Sequence, residues 1–166
     1  MGYAMLGLIS SVIIFNLLCY KLNKKLTPNQ TLHMWMFTVT FQNLFDIFID
    51  LKYKGYWYFT KAVDWQSIPC VTVLLPPINV IYLTFYPFKK SWLIQGIYIL
   101  CWSGAILTYE KFTLLPAPFG YFHYGWWKFA YSCILDPILF IVSVMYYQLI
   151  RHIEASGKGK SMAEKG

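Results

Sequence analysis

Hydrophobic and polar positions fall along this chain in long blocks, not in short alternation. Five apolar segments can be drawn, at residues 3–20, 32–51, 68–88, 92–109 and 129–150. A helix rises about 1.5 Å per residue, so about 20 residues cross the ~30 Å hydrocarbon layer of a bilayer. Each segment has roughly that length. Basic residues close several of them: Lys21, Lys24 and Lys25 follow the first, Lys89 and Lys90 the third, Arg151 the fifth. The second is the least apolar, interrupted by Gln42, Asn43, Asp46 and Asp50. The pattern predicts an all-α fold, a polytopic membrane bundle of five transmembrane helices over residues 1–154. Residues 155–166, rich in Gly, Ser and Lys, read as a disordered cytoplasmic tail.

Composition supports this reading. The chain is 58% hydrophobic and only 13% charged, against about 25% charged in soluble domains. The net charge of +7 is spread as short clusters between apolar runs, so it reads as topology signal and not as a nucleic-acid surface. Lys21, Lys24, Lys25, Lys89, Lys90, Arg151, Lys158, Lys160 and Lys165 fall on one side, and Lys52, Lys54, Lys61, Lys111 and Lys128 on the other. The richer side should be cytoplasmic, which sets the N-terminus out and the C-terminus in. The N-terminus has neither a charged n-region nor a small-residue cleavage site. Leu6 stands where a myristoylation signal needs Ser or Thr.

Acidic residues inside apolar segments are the candidate chemistry, because a charge in hydrocarbon is costly and such residues mark functional sites. Asn43, Asp46 and Asp50 share one helix face by their spacing. Asp46 lies ~8 Å and Asn43 ~12 Å below the outer end of the second segment, and Asp136 ~10 Å below that of the fifth. Pro137 follows Asp136, and Pro76-Pro77 interrupt the third segment with Asn79 just beyond. Proline cannot donate to the carbonyl four residues back, so Pro76 and Pro77 free the carbonyls of Thr72 and Val73, and Pro137 that of Cys133. Broken backbone at that depth must be buried in protein or line a cavity. The expectation is one polar pocket between the second, third and fifth helices, open outward, with Glu110 and His123 flanking it. Asp46 and Asp136 are the candidate catalytic or ligand-binding carboxyls. Helix-to-helix hydrogen bonding is the alternative role for both.

The outer loops are aromatic, with Tyr56, Trp57 and Trp65 in one and Trp126 in the other. Such rings gather at membrane interfaces. They could also close a lid over the pocket, with glycines at Gly55, Gly120 and Gly125 permitting tight turns. The four cysteines, Cys19, Cys70, Cys101 and Cys133, show no metal or redox spacing. His123 has no second histidine near it, and His33 and His152 fall at the inner interface, so no metal site is predicted. No phosphate-loop, dinucleotide or nucleophile-elbow motif occurs, and no cofactor is expected.

Several stretches together resemble a known family: Phe45-Asp46 with Asp50-Leu-Lys-Tyr53, Val63-Asp64-Trp65, Pro77-Ile-Asn79-Val, Phe85-Tyr-Pro-Phe-Lys-Lys90, Tyr109-Glu110, Gly125-Trp126 with Lys128, and Asp136-Pro137-Ile-Leu. Across residues 32–153 they resemble an uncharacterised family of small five-span membrane proteins of spore-forming Bacillota. The resemblance implies a multi-pass protein of a bacterial cell membrane and no particular activity. A weaker resemblance is to integral-membrane cyclases of the lycopene-cyclase type, carried by Asp46, Trp57, Tyr58 and Pro76 in that order. That family's Pro-x-Glu-Glu is Pro76-Pro-Ile-Asn79 here.

Three functions follow as expectations. In the first, the pocket binds a cation, a proton or a lipid-like ligand. In the second, a membrane enzyme acts on an isoprenoid or other lipid by carboxylic-acid catalysis, with Tyr56, Trp57, Trp65 and Trp126 stabilising a carbocation. In the third, the chain is an assembly subunit, as a homo-oligomer or bound to a membrane partner.

Overall fold

The computed structural model describes residues 2–62 and 65–163, with side chains as far as residue 157. Val63, Asp64 and Lys165, used above, lie outside the described residues, as do the side chains of Lys158 and Lys160. Among the described residues the chain forms five α-helices, α1 (Gly2–Leu22), α2 (Pro28–Asp46), α3 (Leu75–Phe85), α4 (Trp92–Thr113) and α5 (Phe129–Ala163). Two short strands, β1 (Tyr56–Tyr58) and β2 (Phe122–Tyr124), pair antiparallel. Three helical stretches are long and apolar enough to cross a membrane: α1, α4 and the Phe129–Gly157 part of α5.

Local chemistry sets the boundaries. Thr27 caps α2: its hydroxyl oxygen accepts from the Gln30 amide at 3.2 Å while the Gln30 side chain accepts from the Thr27 amide at 3.2 Å. This reciprocal capping box, with Pro28 in the first turn, starts the helix four residues before the apolar run. Beyond Asp46 the helix widens into a π turn over Ile47–Lys52. Helix also begins before α3, at residue 68, and runs through a second π turn, Cys70–Leu74, into Pro76-Pro77. The wider turn lets Leu75 bond to the Cys70 carbonyl, five residues back, just ahead of the prolines. The third apolar segment stops being helical at Phe85, short of the expected residue 88. Pro87 disfavours helical backbone at Tyr86, whose ψ is 131°. At the other end of the chain, α5 continues to Ala163, into the stretch that reads as tail.

Helix α3 is the centre of the molecule, buried at every position from Pro76 to Thr84. It packs against α1, α2 and α5, and α4 packs against α5. The main core gathers Met34, Val80, Tyr82, Leu83, Phe140 and Val144. Tyr82, fully buried, packs against Phe140 with ring centroids 4.4 Å apart and the planes tilted by 41°. At the end of the bundle opposite the strands Asn29 and Gln30 both donate to the Glu154 carboxyl, at 2.6 and 2.5 Å, tying the start of α2 to α5.

The two strands join the loops after α2 and after α4, with Tyr56 opposite Tyr124, Trp57 opposite His123 and Tyr58 opposite Phe122. Successive strand residues face opposite sides. Tyr56, Tyr58 and Phe122 therefore turn to the helices, while Trp57 and His123 stack on each other with ring centroids 6.0 Å apart. Gly125 closes this ribbon: its N–H donates to the Gly55 carbonyl at 2.8 Å, and a Cβ there would stand 2.2 Å from the Lys54 carbonyl oxygen. No described glycine has a positive φ, whereas Lys54 and Phe59, on either side of β1, do. The glycines thus serve close backbone approach rather than left-handed turns.

Candidate functional site

Two adjoining cavities, each of about 160 Å³, lie among α2, α3, α4 and α5 beneath the ribbon. The outer one is walled by Tyr56, Tyr58, Tyr121, Phe122 and Trp127 and carries Glu110 and Asp136. The inner one is walled by Phe37, Phe41, Ile78, Leu139 and Phe140 and carries Asp136 and Asn79. Gln42, Leu75, Ile106, Asp136 and Leu139 line both, so Asp136 sits where they meet.

Glu110, at the ribbon end of α4, is held by two elements. Ser132 of α5 donates to its Oε1 at 2.8 Å, and the Tyr124 hydroxyl of β2 donates to the same oxygen. The Trp127 indole N–H in turn donates to Ser132 Oγ at 3.0 Å. Burial, and then the hydrogen bond to Glu110, push the Tyr124 phenol above its usual value, so it remains a donor. Asp136 lies one turn beyond Ser132 on the same face. Its Oδ2 is buried with no hydrogen-bond partner among the described residues.

Asp46 belongs to a different set of contacts. The Tyr56 hydroxyl donates to its Oδ1 at 2.6 Å and Gln42 Nε2 donates to the same oxygen at 3.0 Å. Burial, and then the Asp46 charge, push the Tyr56 phenol well above its usual value. Asp46 lines a third cavity, of about 170 Å³, with Asn43 and Asp50. The three residues expected on one face of the second segment are therefore together there. Neither of the cavities that carry Asp136 includes Asp46, and Gln42 stands between the two groups.

The proline-freed carbonyls have other uses than a pocket. Thr72 O accepts from the Trp35 indole at 3.1 Å, and Val73 O accepts from Asn16 Nδ2 at 2.9 Å. Pro76 and Pro77 are themselves fully buried. Asn79 bridges helices, its Nδ2 donating to Thr38 Oγ1 at 2.9 Å and to Ser143 Oγ at 3.1 Å. His123 turns away from the cavities toward Trp57, over whose ring Lys61 Nζ lies at 4.6 Å. Of the four rings expected as a lid, Tyr56 lines the outer cavity. Trp57 faces the other way, Trp65 is 86% exposed, and Trp126 donates to the Tyr53 carbonyl at 2.7 Å at the end of the ribbon.

Sequence reasoning missed Tyr121, Trp127, Ser132, Thr38 and Ser143. A signal for some was present. Thr38, Gln42 and Asp46 recur at four-residue steps on α2, and Ser132, Asp136 and Ser143 fall on one face of α5. Among the described residues no three His, Cys, Asp or Glu side chains are grouped to hold a metal ion. Comparison with models of protein families, with curated proteins and with solved structures finds no match to this chain.

Proposed function

We propose that this is a small multi-pass membrane protein that binds a lipid-soluble ligand in the twin cavity beneath its outer ribbon. The single observation that carries the reading is the pair of acidic side chains, Glu110 and Asp136, on one aromatic-walled cavity. An apolar cavity with a few converging polar groups is the usual form of a ligand site, and acidic groups at membrane depth are costly unless used. The ligand is one that carries positive charge or hydrogen-bond donors on an apolar body.

The chain crosses the bilayer five times in this reading. Helix α2 with its π turn, and the helical stretch 68–85, supply the two spans beyond the three apolar ones. The N-terminus lies outside and the C-terminus inside, because the lysine-rich turns lie at the end opposite the ribbon. We assign the protein to a bacterial cell membrane on its resemblance to the five-span family of Bacillota.

Native mass spectrometry of the protein extracted in mild detergent tests the ligand directly. A bound mass that disappears in Glu110→Gln and Asp136→Asn supports the reading. An unliganded protein that also binds no lipophilic cation in titration overturns it.

A second reading is an enzyme that protonates an isoprenoid from Asp136. It is favoured by the rings of Tyr58, Tyr109, Tyr121 and Trp127 around the same cavity, which could stabilise a carbocation. Altered terpenoid profiles in isoprenoid-producing cells would support it, and unaltered profiles would dismiss it.

A further inference from the structure

Asn79 narrows the ligand class. It is only 8% exposed and lines the inner cavity. Its amide orientation is decided by Thr38. The Thr38 hydroxyl donates its proton to the Met34 carbonyl at 2.8 Å, so its oxygen can only accept, and Asn79 must turn Nδ2 toward it. Asn79 Oδ1 is then left buried, with no partner among the described residues. Asp136 Oδ2, on the same cavity, is in the same condition. Gln42, also on the wall, already donates to Asp46. Buried acceptors without donors are destabilising, so two of them on one cavity are a standing demand for a donor.

The remaining wall is apolar, with Phe37, Phe41, Leu139 and Phe140. Each cavity, at about 160 Å³, is close to the ~150 Å³ of an engineered cavity that admits one benzene. Two such volumes in series match one slim chain.

We propose that the ligand is a single-chain amphiphile with a primary ammonium head, which donates to Asp136 and Asn79 while its hydrocarbon lies along the aromatic wall. This rests on the cavity being a ligand site. An ammonium offers three donors and a positive charge, matching two acceptors and the acidic pair. A hydroxyl offers one donor and no charge, and a quaternary ammonium offers charge and no donor.

Titration of the full-length protein in zwitterionic nanodiscs with decylamine, decyltrimethylammonium and decanol tests this through tryptophan fluorescence, with empty nanodiscs as blank. Saturable binding of decylamine, at least tenfold tighter than the other two, is the expected result. Asn79→Leu should weaken decylamine tenfold or more and leave decyltrimethylammonium unchanged. The comparison of probes on the unaltered protein stands even where that variant fails to fold. Equal binding of decylamine and decyltrimethylammonium overturns the donor requirement and leaves the cavity as a cation site. Equal binding of decanol overturns the ammonium. Absence of saturation by all three overturns this inference, and a co-purifying ligand of other chemistry would then keep the broader reading.

Discussion

The indole N–H of Trp35 on α2 donates to the carbonyl oxygen of Thr72, 3.1 Å away, which is the acceptor that Pro76 leaves open. Asn16 of α1 treats the Val73 carbonyl, left open by Pro77, in the same way at 2.9 Å. The double proline thus creates two attachment points through which the central helix is held by α1 and α2. A break that would be a cost in an isolated helix becomes the join between three of them.

Removing the donor should therefore cost more than a lost contact. Trp35→Phe keeps an aromatic ring and leaves the Thr72 carbonyl unpaired, at about 1–3 kcal/mol. Thermal unfolding in detergent should show a lower midpoint. An unchanged midpoint would mean that another group satisfies this carbonyl.

The Tyr56–Asp46 bond carries a pH signature. Because burial, and then the Asp46 charge, raise the Tyr56 phenol in the folded state above its ordinary value of about 10, its contribution is fully present below about pH 10 and is lost as pH rises from there toward the folded value. Tyr56→Phe has no such dependence. The stability difference between wild type and Tyr56→Phe should hold steady to pH 9 and shrink above about pH 10. A difference that grows with alkalinity would contradict the assignment.

Gly125 and Gly104 make a matched pair. An added Cβ meets the Lys54 carbonyl oxygen at 2.2 Å in the first and nothing within 4 Å in the second. Gly125→Ala should disturb the ribbon and cost about 1–3 kcal/mol, read as faster protease cleavage of the two outer loops. Gly104→Ala should leave cleavage rates unaltered.

Membrane orientation can be read with single cysteines placed in a variant lacking the native four. Lys61→Cys, beside the ribbon, should react with an impermeant maleimide in intact cells. Lys90→Cys, at the opposite end, should react only after permeabilisation. The reverse pattern would invert the topology.

Each apolar segment contains or overlaps an observed helix, because a block of apolar residues that long has few alternatives in a protein of this composition. The helix ends were less legible. The start of α2 was written in Thr27-x-x-Gln30 and the end of α3 in Tyr86-Pro87, both local signals that hydropathy alone passes over. The acidic residues were visible as outliers. Their partners were not, since Tyr56 meets Asp46 and Ser132 meets Glu110 only after the loops and helices have packed.

The amino-acid sequence by itself determined the helical segments, the polar residues set inside apolar segments and the carbonyls that the prolines release. These depend on local chemistry: hydrocarbon length, charge cost and a missing N–H. Tertiary structure alone decided that Asp46 and Asp136 line separate cavities, that Glu110 and not His123 joins Asp136, and that the two aromatic loops pair as strands. Those outcomes turn on which helix faces meet. The strands are three residues long and lie far apart in the chain, so neither carries a pairing signal of its own. Only the packing of α2, α4 and α5 brings the two loops within hydrogen-bonding reach.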